Sequence, residues 1–263
     1  MPIASVNDID IYYEVHGSGP SLFLIGGFSL SHHGFQEFIT PFVKHFQVVI
    51  FDNRGVGQSS SPPTDYTTVQ MAQDTSSLMD HLGIEAAHLM GVSMGTLIAE
   101  QLCLNHPQKV QKVVLCAPFA KLPELSAHLI KVEAKLLKKG LDRGDLLEMM
   151  VPWLLSTSML ETPGGVEQFL EGMLSDPFPQ TLDGFIGQMH ALIHCDLRKE
   201  IHKITHKMLL LVGENDLLTP PSCAEEIFRE APDAKIHLFE NRGHVFHAEI
   251  PEKVAEKTLS FLL

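Results

Sequence analysis

The chain has 263 residues and 44% hydrophobic content, enough to bury one substantial core as a single α/β domain. A formal net charge of -13 argues against a nucleic-acid partner, which requires a basic surface. No apolar run is long enough to span a bilayer, and the N-terminus lacks the basic and apolar regions of a signal peptide. Cys103, Cys116, Cys195 and Cys223 are widely separated without C-x-x-C spacing, so the sequence reads as a cytoplasmic protein without disulfides.

Residues 3–6 and 9–15 alternate like an antiparallel hairpin turning at Asn7-Asp8. Strands are expected at 21–25 and 47–51, with a helix between them over 34–44. A further helix runs from Thr67 to His81; Asp65, Thr67 and Thr68 offer N-cap oxygens and Gly83 closes it. Strand-like runs at 87–90 and 112–116 flank another helix over 96–103. This alternation predicts a mostly parallel sheet with helices on both faces. From 119 to 196 the strand pattern stops, and helix-like stretches occupy 125–139, 144–155, 164–174 and 180–193. An excursion of that size at the carboxyl edge of the sheet fits a helical cap of residues 119–196 over a core formed by 1–118 and 197–263. Strands resume at 208–212 and 235–239.

Between the strand at 87–90 and the helix at 96–103 lies Gly91-Val92-Ser93-Met94-Gly95. This is the G-x-S-x-G pattern in the strand–turn–helix context it needs. The flanking glycines allow strand and helix to approach closely, and the new helix points its free N–H groups at charge formed beside the serine. A serine nucleophile needs a histidine base and an orienting carboxylate, here in the order Ser, Asp, His. Asp216 follows the strand at 208–212, and His244 follows the strand at 235–239. Ser93, Asp216 and His244 are therefore the expected catalytic group. The oxyanion donors are expected to be the amides of Met94 and of Phe28, which follows Gly26-Gly27 at the end of the strand at 21–25.

With these residues in place, the chain resembles the α/β-hydrolase superfamily over nearly its whole length. Phe51-Asp52-Asn53-Arg54-Gly55-Val56-Gly57-Gln58-Ser59 looks like the family's D-x-R-G-x-G-x-S loop. Asn105-His106-Pro107-Gln108-Lys109-Val110 looks like its H-P-x-x-V stretch. The nearest resemblance is to small capped esterases: enol-lactonases, carrier-protein methyl esterases and perhydrolases. It implies an eight-stranded sheet with the cap inserted after the sixth strand, and hydrolysis of a small to medium carboxylic ester or lactone through an acyl-enzyme, without a cofactor. Gly26 stands where the family usually has a histidine bracing the oxyanion loop, so a more mobile loop is expected.

Gly27, Phe28, Phe119, Trp153, Leu218 and Val245 are the expected substrate-binding residues. The 15 histidines raise the question of a metal, but His202 and His206 lack the accompanying carboxylates, and no metal site is expected. His247 is expected before the final helix, facing sheet or solvent. Lys131, Lys135, Lys138, Lys139 and Arg143 form a basic stretch that an acidic acyl carrier protein could meet, or simply a solvated helix face. Thioester hydrolysis, carbon–carbon bond hydrolysis and a non-catalytic receptor on the same scaffold remain open alternatives.

Overall fold

Strands with apolar residues on both faces belong inside a covered parallel sheet, and the core of this molecule is built that way. The structure, a computed structural model, describes residues 2–263. β1 (Ile3–Val6) and β2 (Ile9–His16) make the hairpin, with Asn7 in the left-handed conformation at φ 52°. β3 (Ser21–Ile25), β4 (Gln47–Phe51), β5 (Ala87–Val92), β6 (Val110–Cys116), β7 (Lys207–Gly213) and β8 (Ala234–Phe239) complete the sheet. Its eight strands lie in the order β1-β2-β4-β3-β5-β6-β7-β8. β2 is antiparallel to both neighbours, and every pairing beyond β4 is parallel.

α1 (Thr68–His81) follows β4 and is capped by the Thr67 hydroxyl, which accepts from the Gln70 amide. α2 (Met94–Asn105) connects β5 to β6. Between β6 and β7 the chain leaves the sheet and forms α3 (Glu124–Lys138), α4 (Arg143–Leu154), the short α5 (Thr157–Leu160), α6 (Gly165–Leu174) and α7 (Leu182–His194). An antiparallel bridge between Lys121 and Asp196 closes the neck of this helical insertion. α8 (Pro221–Glu230), α9 (Phe246–Glu249) and α10 (Pro251–Leu262) complete the chain.

Alternate residues of each central strand enter different cores. Phe23 and Ile25 of β3 join one cluster with α1, α2 and residues of the insertion, whereas Leu22 and Leu24 join another with α10 and the segment from Phe35 to Phe46. One expectation fails in that segment. Instead of a helix over 34–44 there is a 3₁₀ turn at His32–Phe35 followed by hydrogen-bonded turns. Pro41 has no N–H to donate to the Glu37 carbonyl, and its ring crowds that position, so a regular helix cannot pass through. The short α5 is also absent from the sequence reading, because a single helical turn gives too little periodicity to recognise.

Candidate active site

Ser93 sits at the junction of β5 and α2 with φ 50° and ψ -116°, a conformation that costs energy for any residue with a Cβ. Its neighbours hold it there. A Cβ on Gly91 would overlap the Gly95 carbonyl oxygen, and one on Gly95 would overlap the carbonyl of Ile25 at the end of β3. The Ser93 amide is fixed by the Cys116 carbonyl at 2.9 Å, so the turn is anchored to the end of β6. The strained serine thus follows from three strand ends and two glycines.

His244 Nε2 lies 3.0 Å from Ser93 Oγ, and His244 Nδ1 lies 2.8 Å from Asp216 Oδ2. Asp216 comes from the loop after β7 and His244 from the loop after β8; both are almost wholly buried. With the carboxylate accepting from Nδ1, the proton belongs on that nitrogen, and Nε2 is free to accept from the serine hydroxyl. Asp216 is itself held by the amides of Leu218 and Thr219 on Oδ1, each at 2.9 Å, and by the Thr219 hydroxyl on Oδ2 at 2.9 Å. Thr219 was not singled out in the sequence. Its signal is the turn-forming spacing of an Asp with a Thr three residues later, in which both backbone and hydroxyl can return to the carboxylate.

The loop after β3 places Gly27 against the serine: a Cβ on Gly27 would come within 3.3 Å of Ser93 Cβ. Neither the Phe28 amide nor the Met94 amide donates to a protein acceptor among the described residues. Unpaired amides beside a nucleophile are suited to an oxyanion. The loop has several hydrogen-bonded ties although Gly26 supplies no histidine brace. Asn53 Nδ2 donates to the Gly26 carbonyl at 3.0 Å, the Ser29 amide donates to Gln188 Oε1 at 3.0 Å, and the Leu30 amide closes a turn on Gly27. Bracing that a histidine at position 26 would supply comes instead from a loop and from α7.

Asp52 explains why the D-N-R-G-V-G stretch is built as it is. Its carboxylate accepts from the His32 amide at 2.6 Å, the His32 ring at 2.9 Å and the Gln58 amide at 2.8 Å. A Cβ on Gly57 would overlap that carboxylate. Burial alone would lower the His32 pKa, but the hydrogen bond and charge of Asp52, with Glu14 beyond it, hold the ring above its ordinary value. Arg54 is buried against Asp74, with Nε 2.5 Å from Oδ2 and Nη2 2.8 Å from Oδ1. That paired fork holds the loop against α1.

Over Ser93 lies a cavity of about 340 Å³, walled by strand-end loops on one side and by the helical insertion on the other. Gly27, Phe28, Leu218 and Val245 line it beside Ser93 and His244. Phe185 of α7 meets Phe28 edge to face, their ring centroids 4.7 Å apart. Trp153 and Phe119 do not line it. Phe119 is fully buried in the core cluster of α1 and α2, because the chain turns inward directly after β6. Trp153 is half-buried, one 100° step round α4 from Leu154, which does reach the cavity. His247 lies in α9, before the final helix as expected, but it is buried and lines the cavity, and burial followed by the nearby His244 lowers its pKa to about 4.

A family model described as the alpha/beta hydrolase fold matches residues 20–251. The chain belongs to the α/β-hydrolase family. It is 26% identical to a protein of Pseudomonas savastanoi pv. phaseolicola named as the carbamate hydrolase RutD, over 96% of this chain and 97% of that one. Among solved structures it resembles a thermophilic esterase from Thermogutta terrifontis, with a TM-score of 0.85 and 26% identity over 98% of this chain and 95% of the other. The enol-lactonase of Burkholderia xenovorans LB400 shares the fold at TM-score 0.86 and 24% identity, covering 99% of each chain.

Among the described residues, no helix of this α/β hydrolase is long and apolar enough to cross a membrane, and no group of three or more His, Cys, Asp or Glu is placed to hold a metal. His206 Nε2 is bonded to the Pro107 carbonyl at 2.9 Å. All four cysteines are free. Lys131, Lys135 and Lys138 are exposed on the side of α3 opposite the face formed by Ser126, Ile130, Glu133 and Leu137, which lines the cavity.

Proposed function

We propose that this α/β hydrolase cleaves a small to medium carboxylic ester or lactone by acyl transfer through Ser93. The observation that carries this reading is the continuous hydrogen-bonded order Ser93–His244–Asp216 at 3.0 and 2.8 Å, opening onto the cavity. In the first step His244 takes the Ser93 proton as Oγ attacks the carbonyl carbon, and Asp216 stabilises the resulting imidazolium. The unpaired amides of Phe28 and Met94 receive the oxyanion. His244 then gives its proton to the leaving alcohol, and afterwards takes one from the water that releases the acid. Residues 119–196 act as a cap that keeps bulk water from the acyl group.

Carbamate hydrolysis is the second reading, favoured by whole-length similarity to a protein named as a carbamate hydrolase. The same oxyanion donors and relay would serve a carbamate carbonyl. The distinguishing experiment is steady-state hydrolysis of p-nitrophenyl esters of increasing acyl length beside p-nitrophenyl carbamates, with Ser93→Ala in parallel. Multiple turnovers on esters, reduced by about 10⁴-fold or more in the variant, are expected. Turnover of carbamates alone would favour the second reading, and turnover that survives the substitution would overturn both.

A further inference from the structure

Glu133 is the most anomalous group in the cavity wall. It lies in the middle of α3, is only 5% exposed, and lines the cavity. No hydrogen bond or ion pair reaches its carboxyl among the described residues, and Oε1 is a buried oxygen without a partner. Burial of that kind pushes its pKa up to about 7. A carboxyl held in an apolar wall without a protein donor is costly unless something entering the cavity supplies one.

The helix gives the position of this group relative to the chemistry. Ser126, Ile130, Glu133 and Leu137 form one continuous face of α3 along the cavity. The Ser126 hydroxyl donates to the Leu218 carbonyl at 2.6 Å, next to Thr219, which binds Asp216. Glu133 is seven residues further along, a rise of roughly 10 Å. It therefore lies toward the end of the α3 wall remote from the Asp216 loop, with only Leu137 of that face beyond it, a position suited to reading an acyl chain and not the scissile bond.

We propose that this cavity selects an ester or lactone whose acyl chain carries a neutral hydrogen-bond donor, a hydroxyl or amide N–H, and that Glu133 accepts that donor. This names the substrate class of the hydrolytic site and rests on that reading. A neutral donor suits the carboxyl in either protonation state, since each state keeps an oxygen lone pair available. An ammonium group fits less well, because Arg143 shares the cavity wall and the wall is otherwise largely apolar. A terminal carboxylate would meet Glu133 as a like charge. The surrounding leucines and methionines supply contact for the methylenes between the two ends.

The test compares p-nitrophenyl esters of ω-hydroxyalkanoic acids and of N-acyl amino acids with plain alkanoates of equal length. At the best length, the donor-bearing ester is expected to exceed its plain partner in kcat/KM by about tenfold. Glu133→Leu should bring the ratio close to one, whereas Glu133→Gln, which keeps an accepting oxygen, should retain part of it. Which donor wins separates hydroxyl from amide recognition. Binding of the corresponding methyl esters to Ser93→Ala, measured by calorimetry, tests recognition without requiring turnover. A donor preference in binding that disappears in Ser93→Ala/Glu133→Leu supports the proposal even if no ester is hydrolysed. Equal binding of donor-bearing and plain esters, or a preference unchanged by Glu133→Leu, overturns it while leaving the hydrolytic reading intact.

Discussion

β3 and β5 are buried along nearly every residue, and their ends meet with no room for a Cβ at Gly91 and Gly95 and little at Gly27. In the helical insertion, α6 buries only Gly165, while Leu174, Phe178 and Leu182 stay 39–47% exposed. The two halves of the cavity are thus held by different forces. The sheet half is fixed by backbone packing and by ladders of hydrogen bonds. The insertion half rests on side-chain contacts. Ala127, Ile130, Phe185 and Leu192 of α3 and α7 pack into the shared core. Polar ties run from Gln188 and Gln180 to the loops after β3 and β4 and from Glu249 to the Ser156 amide and hydroxyl at 2.7 and 2.8 Å. Geometry that must be accurate for chemistry lies in the stiff half. The walls of the softer half can vary without disturbing the serine.

The sharpest way to break this division is to intrude on the stiff half. Gly95→Ala places a methyl group on the Ile25 and Gly26 carbonyls, which are main-chain atoms and cannot swing aside. A loss of about 3 kcal/mol or more is expected, together with loss of activity, read from a urea denaturation midpoint. A normal midpoint would show that the strand ends can yield to a methyl group.

A smaller effect is expected from cutting the tie between the halves. Gln188 is fully buried; its Oε1 accepts from the Ser29 amide, and its Nε2 donates to the Arg54 carbonyl at 2.9 Å. Gln188→Leu leaves both partners unpaired, so about 1–3 kcal/mol of stability should be lost. Because the Ser29 amide adjoins Phe28, kcat for a short ester should fall by about tenfold, with KM changing much less. Equal losses of kcat and kcat/KM would place the effect on the transition state. An unchanged kcat would mean that the oxyanion loop holds its position without α7.

The gentlest test lies wholly within the insertion. The Glu133 pKa is raised to about 7 from the ordinary carboxylate value of 4.5, so between these values the folded chain binds more protons than the unfolded one. Stability from this group is therefore present at low pH and falls as pH rises from about 4.5 to 7, by at most about 3 kcal/mol. Glu133→Gln should accordingly gain thermal stability over the parent on going from pH 5 to pH 8. A difference in Tm independent of pH would show that the carboxyl keeps an ordinary pKa.

Residues near one another in sequence carried the most legible features. The nucleophile turn could be read because Gly91, Ser93 and Gly95 lie within five positions between a strand and a helix. Asp216 and His244 could be named because each follows a strand and the chain order is constrained, and the structure brings both within hydrogen-bond reach of the Ser93 line. Phe119 and Trp153 were misplaced for the opposite reason. Their aromatic character says that they will be buried, and burial against core or cavity depends on which way the chain turns after β6 and on one helical step in α4. The helix expected over 34–44 failed locally, at Pro41, where apolar spacing suggested one element and a missing N–H prevented it.

The sequence by itself determined the strand and helix alternation, the glycine-flanked serine and the loops bearing Asp216 and His244, since each depends on short-range periodicity or turn chemistry. Only the tertiary structure decided that Gln188, 159 residues from Ser29, braces the loop after β3, where position 26 is a glycine. It also decided that Glu133 faces the cavity without a partner. Such pairings between distant segments depend on the packing of the whole chain, and no local pattern of residues encodes which side chain will arrive there.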